Sequence, residues 1–112
     1  MANAPKPTDT PHYHGHRDRL RHRFIEGGPE AMQDYELLEI LLFSAIPRKD
    51  VKPLAKDLIA KFGNLAGVIN ASVTELTTVK GISDKTAITI KLVQASAHRL
   101  MKQEIMQRPI LN

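Results

Sequence analysis

Apolar residues recur along this chain at three- and four-residue intervals, and nowhere do they alternate long enough to suggest a strand. The clearest run is Val51, Leu54, Ala55, Leu58, Ile59 and Phe62, the i, i+3, i+4, i+7, i+8 spacing of one helical face. Asp50 stands ready to cap that helix. Pro53 falls in its first turn, where a missing N–H is tolerated, and Gly63 supplies a stop. The segment before it, 34–46, carries Leu38, Leu41, Leu42 and Ala45 as a stripe that Ile40 and Phe43 widen. A stripe that broad predicts a helix covered on more than one side, with Asp34 as its N-cap and Pro47 as its end.

The same reading extends outward. Leu20 and Phe24 give a short helix over 16–25, broken by Gly27-Gly28-Pro29. A connecting helix over 65–70 follows Gly63. Ser72-Val73-Thr74-Glu75 has the capping-box order, Ser then Glu three residues on, and opens a short helix running to about Val79. After the turn at Gly81, Ser83 caps a last helix over 84–107, whose expected buried face is Ala87, Ile90, Val93, Ala97, Leu100 and Met101. Residues 1–11, with three Pro among small and polar residues, read as a disordered tail. A helical domain over 12–108 and the start of a linker at 109–112 complete the expected organisation. The fold class is therefore all-α, a small bundle of short helices.

Composition narrows the picture. The chain has 112 residues, enough for one modest core. Aromatic residues are only 4% and Trp is absent, so that core must be aliphatic. Without cysteine there is no disulfide, thiolate metal site or Cys nucleophile, which fits a reducing compartment. No apolar run spans a bilayer, and the first residues lack the apolar core of a signal peptide, so a cytoplasmic location without membrane attachment is expected.

Charge adds a direction. The net charge is +4, with a pI near 9.6, a weak argument for an acidic partner. Its distribution says more. Residues 12–23 hold four Arg and four His against one Asp, residues 26–39 hold five carboxylates and no Lys or Arg, and basic residues then return at two turns.

The later turn, Val79-Lys80-Gly81-Ile82-Ser83, resembles a helix-hairpin-helix. Gly81 permits a backbone conformation closed to other residues and a close approach of phosphate. Ile82 pins the loop to the core, and Ala87, four residues past Ser83, lets two helices pack closely. Amides at the start of the second helix face outward as anion donors, and Lys80 and Lys85 flank them. Where the motif has a second Gly this chain has Ser83, whose hydroxyl competes for one of those amides, and Asp84 adds a negative charge. A capped turn in a helical bundle accounts for the same residues. The earlier turn, Pro47-Arg48-Lys49-Asp50 with Lys52 nearby, lacks the Gly but is basic. It reads either as a degenerate first copy or as a solvated loop.

These pieces stand in an order that resembles a known family. His16-Arg17-x-Arg19-Leu20-Arg21-x-Arg23-Phe24, then Asp34-Tyr35-Glu36-Leu37-Leu38-Glu39, Pro47-Arg48-Lys49-Asp50, Lys52-Pro53-Leu54-Ala55, Phe62-Gly63-Asn64-Leu65 and Val79-Lys80-Gly81-Ile82 look like the N-terminal domain of the RadC-like family, described as DNA repair proteins. The resemblance covers about 12–111. It implies a bundle of the SAM/RuvA-domain-2 kind, with one clear and one degenerate helix-hairpin-helix. It also implies a role in non-sequence-specific DNA binding, on duplex, branched or junction DNA. Lys80, Gly81, Ile82, Ser83, Lys85, Arg48, Lys49 and Lys52 would be the phosphate-facing residues. Full-length members continue into a JAB/MPN metalloprotease-like domain with a His-x-His-Pro motif. His12-Tyr13-His14 has the His spacing but no Pro follows, so the chain is expected to be the N-terminal part alone, with no cofactor.

Other candidates carry blander expectations. His12, His14 and His16, the first three in a flexible tail, and His22 are read as tail or phosphate contacts rather than as metal ligands. His98 reads as a partly exposed helix residue. Arg17, Arg19, Arg21 and Arg23 cannot share one helical face; about two are expected on DNA and another against the acidic 26–39 stretch. No catalytic constellation is present, so a binding module is expected: for DNA, or alternatively for a protein partner.

Overall fold

The computed structural model describes residues 12–107. The chain runs through α1 (His12–Gly27), a 3₁₀ turn (Pro29–Ala31), α2 (Asp34–Ala45), α3 (Lys52–Phe62), α4 (Leu65–Asn70), α5 (Val73–Thr77) and α6 (Asp84–Gln107). No strand occurs among the described residues, and the architecture is all-α as expected. The expected tail over 1–11 and linker over 109–112 lie outside the described residues.

The core is largely aliphatic and drawn from all six α-helices. Leu38 and Leu42 of α2, Leu58 of α3, Val68 of α4, Leu76 of α5 and Ile90 of α6 are all fully buried. Each such side chain contributes roughly 1.5–3 kcal/mol on leaving water. Helix α2 lies at the centre, against α1, α3, α4 and α6, which is why its apolar stripe is so broad. Helix α3 begins one residue later than a capping Asp50 predicts: Val51 holds the N-cap position, and Asp50, just before it, accepts the Lys52 N–H with Oδ1 at 3.0 Å. Its end, Gly63, has φ +96. Helix α4 follows with Asn64 accepting the Gly67 N–H at 2.8 Å.

Three local expectations are corrected. Asp34 does not cap α2. Gln33 holds the N-cap position and its N–H donates to Glu36 Oε1 at 2.9 Å, while Asp34 Oδ2 accepts the N–H of Leu65, 31 residues away at the start of α4, at 3.0 Å. Helix α5 ends at Thr77, and Val79 belongs to the turn that follows. Helix α6 buries only Thr86, Ala87 and Ile90; Val93 is half-buried, and Ala97, Leu100 and Met101 are exposed. The helices that cover α6, namely α2, α4 and α5, meet its first half, so the apolar stripe continues past the last surface able to bury it.

Helix α1 is longer than its apolar residues suggest, and it is held differently. Leu20 is its buried apolar anchor at 2% exposure, whereas Phe24 is 37% exposed. Polar contacts do the rest. His16, the expected first residue of this helix, lies inside it, and its Nε2 lies 2.8 Å from Oε1 of the buried Glu39. Arg23 grips Glu36 with both guanidinium nitrogens, at 2.5 and 3.4 Å. Arg17 is buried. It stacks on Phe43, 4.5 Å from the ring centre, and donates to the carbonyls of Phe43, Ile46 and Lys49 at 3.2, 2.6 and 2.7 Å. The acidic stretch is thus partly internal, consumed by α1 rather than displayed.

Candidate nucleic-acid interface

Two turns define the candidate site. The later one is closed by the Ile82 N–H, which donates to the Val79 carbonyl at 3.1 Å. Gly81 is the third of its four residues and has φ +99, the positive value that this position of a type II turn demands. Ile82 is buried and anchors the loop, and Ala87 is fully buried behind it. Ser83 behaves as its chemistry suggested: its hydroxyl accepts the Thr86 N–H at 3.3 Å, removing that amide from the set able to meet an anion.

The capping box before the turn is also present. Ser72 N–H donates to Glu75 Oε1 at 3.0 Å and Glu75 N–H donates to Ser72 Oγ at 3.1 Å. The Ser72 amide and then its hydroxyl hold the Glu75 carboxyl below its ordinary value. Glu75 is therefore committed to the helix start rather than to a ligand.

The earlier turn, 46–50, lies across from the later one. Helix α3 brings them together. Leu54, in its first turn, packs beneath Gly81, and a Cβ at Gly81 would stand 3.4 Å from Leu54 Cδ1. Between the turns is a cleft of about 230 Å³ lined by Lys49, Asp50, Pro53, Leu54, Asp57, Lys80 and Gly81. Of the eight residues singled out from the sequence, Lys49, Lys80 and Gly81 meet in this cleft. Arg48, Ser83 and Lys85 are exposed but do not line it; Lys52 is half-buried, and Ile82 faces the core. The arginine run divides as well. Arg17 and Arg23 are bound to α2 and the segment around it, Arg21 is exposed but lies 3.6 Å from Asp18 and 5.1 Å from the Phe43 ring centre, and Arg19 remains exposed.

Pro53, Leu54 and Asp57 were not anticipated as part of the site. Their signal was available: Asp50, Pro53, Leu54 and Asp57 repeat at i, i+3, i+4 and i+7, the spacing of one helical face. Asp57 places a carboxylate where a polyanion would have to approach Lys49 and Lys80. Lys91, a basic residue near α4, is already engaged: it donates to the carbonyls of Ile69 and Ala71 at 2.9 and 2.8 Å. Among the described residues no group of three His, Cys, Asp or Glu converges as a metal site would require. No helix of the described residues is long and apolar enough to cross a membrane.

A family model for the UPF0758 N-terminal domain matches residues 14–88, from α1 into the first half of α6 and including both turns. The chain belongs to the UPF0758 family. It is similar to a UPF0758 protein of Ruegeria pomeroyi, 47% identical over 97 residues that cover 87% of this chain and 43% of that protein. It is also similar to a UPF0758 protein of Rhodobacter capsulatus, 48% identical over 93 residues, 83% of this chain and 44% of the relative. The chain thus spans less than half the length of these UPF0758 relatives. No solved structure matches it.

Proposed function

We propose that this UPF0758 domain binds DNA through its phosphate backbone, without reading base sequence, and that α5, the Lys80–Ser83 turn and α6 act as a helix-hairpin-helix with the Arg48–Lys49 turn as its degenerate counterpart. The observation that carries this reading is the shared cleft: two basic turns far apart in sequence face one another across Leu54, with Lys49 on one side and Lys80 on the other. Exposed Arg48 and Lys85 extend the basic surface beyond the cleft. A contribution to DNA repair, as the RadC-like resemblance implies, is the corresponding biological role, and catalysis is not assigned to this domain.

Asp50 and Asp57 within the cleft, and Asp84 at the start of α6, make this a weak binder. A dissociation constant of roughly 10⁻⁴ to 10⁻⁶ M near physiological salt is expected, with affinity falling steeply as salt rises. Fluorescence anisotropy with short duplex and branched DNA at two salt concentrations tests it. Binding at low salt that is lost in Lys49→Glu/Lys80→Glu supports the proposal. Absence of binding at low salt, or binding indifferent to both charge reversals, overturns it.

A protein-interaction role is the second reading, favoured by the exposed apolar residues Leu100, Met101, Ile105 and Met106 on distal α6. Its signature is an association that persists at high salt, where phosphate contacts fail.

A further inference from the structure

Helix α2 ends without a cation of its own: its last turn contains no basic residue. A helix C-terminus carries partial negative charge and carbonyls without intrahelical donors, and a nearby cation stabilises it. Arg17 supplies that cation from α1. Its Nη1 donates to Phe43 O at 3.2 Å, and its Nη2 donates to Ile46 O at 2.6 Å and Lys49 O at 2.7 Å. Those three carbonyls trace the path from the last turn of α2 through the basic turn. Two of them, Ile46 and Lys49, bracket Pro47 and Arg48, so one guanidinium ties both ends of the turn together. The Phe43 ring fixes the plane of that guanidinium from one side.

We infer that Arg17 is a positioning residue of the DNA-facing cleft: by clamping the carbonyls of Phe43, Ile46 and Lys49 it sets the turn that carries Arg48 and presents Lys49 opposite Lys80. This inference rests on the proposed DNA-binding reading for its functional consequence, but its structural half stands apart from it. Arg17 is buried, so its contribution to affinity is indirect. It also makes the docking of α1 a condition for the shape of the cleft. Lys cannot replace it, because one ammonium on a flexible stem lacks the planar fork that reaches carbonyls from two directions.

The test compares wild type, Arg17→Lys, Arg17→Gln, Arg48→Ala/Lys49→Ala and Arg17→Lys combined with that pair. Two readouts are used: amide chemical shifts in the DNA-free protein, and duplex affinity against salt. Arg17→Lys and Arg17→Gln are expected to shift the amides of residues 46–50 while leaving those of Gly81 and Ile82 unchanged. Losing two phosphate contacts lowers the slope of log affinity against log salt by roughly 1.8. Arg17→Lys is expected to approach that change and to weaken low-salt binding by about tenfold. In the Arg48→Ala/Lys49→Ala background it should add less than about twofold, since the contacts it organises are already gone.

Full additivity with the double variant would overturn the inference, because Arg17 would then act independently of the turn. Unchanged shifts at 46–50 in both Arg17 variants would overturn it too, as would global unfolding of both, which would make Arg17 a support of the whole fold. If wild type fails to bind DNA while the shifts change as expected, the DNA reading falls and the positioning of the turn by Arg17 stands.

Discussion

His16 Nε2 lies 2.8 Å from Oε1 of Glu39, a carboxylate at the centre of α2 that is buried to the level of the core leucines. The other oxygen of Glu39, Oε2, has no hydrogen-bond partner. His16 is therefore the contact that reconciles a carboxylate with an apolar interior. His16→Ala should lower stability by about 1–3 kcal/mol, since it strands a buried polar group. Adding Glu39→Leu should recover at least half of that loss, because replacing both partners of a buried pair by apolar groups is often neutral. Urea unfolding of the single and double variants measures both.

Arg23 and Glu36 form the neighbouring link between α1 and α2. Burial pushes the Glu36 carboxyl upward, but the hydrogen bond from Arg23, the Gln33 amide and the nearby positive charge outweigh it and hold the group below its ordinary value. A carboxyl lowered in the folded state contributes stability above its unfolded value and loses it as pH falls through its folded value. Stability should accordingly decline as the protein is acidified below the ordinary carboxylate range. Glu36→Gln should cost stability near neutral pH and flatten that acidic decline. Denaturation midpoints at about pH 7 and about pH 3 separate the two proteins.

Gly67 is fixed by contact rather than by dihedral angle. A Cβ at this position would stand 2.0 Å from the Phe62 carbonyl oxygen, a backbone atom at the end of α3 that has no rotamer to give. Gly67→Ala should cost about 3 kcal/mol, at the upper end of overpacking penalties, and displace α4. At Gly81 the Cβ has room against Leu54, and the penalty comes from φ +99 alone. Gly81→Ala should cost about 1–2 kcal/mol. Thermal unfolding of the two variants should rank them in that order.

Asp57 opposes the two lysines it shares the cleft with. Asp57→Asn should strengthen binding of short duplex DNA several-fold at low salt, with the gain shrinking as salt screens it. Because Asp57 is exposed, stability should change by no more than about 0.5 kcal/mol.

The two halves of α6 should answer mutation differently. Ile90→Ala, in the fully buried half, should cost about 2–5 kcal/mol. Leu100→Ala, which is 58% exposed, should leave the stability of the isolated domain nearly unchanged. Denaturant titration of each variant is sufficient.

Much of the fold was legible because its signals are local. The spacing of Val51, Leu54, Ala55 and Leu58, the Ser72–Glu75 capping box and the Gly81 turn each depend on residues within a few positions of one another, and each is found in place. What misled were patterns with partners elsewhere in the chain. Asp34 looks like a cap because it precedes a helix, yet the amide it accepts belongs to Leu65. Arg17 sits in a run that reads as a phosphate surface, yet its three acceptors are carbonyls 26, 29 and 32 residues away. The stripe through Leu100 and Met101 keeps helical register without anything to cover it.

The sequence by itself determined that this chain is helical, where α2 to α6 lie to within a few residues, and which two turns carry positive charge. These follow from periodicity, capping and backbone stereochemistry, all of which act over a single turn of helix. Only the tertiary structure decided that the two turns face one cleft across Leu54, that Asp57 shares it, and that α1 is docked by Arg17, His16 and Arg23 around the single apolar anchor Leu20. Charged groups carry no periodic signature of burial. Whether an arginine meets a solvent-exposed phosphate or a buried carbonyl depends on which distant backbone the packed core brings to it.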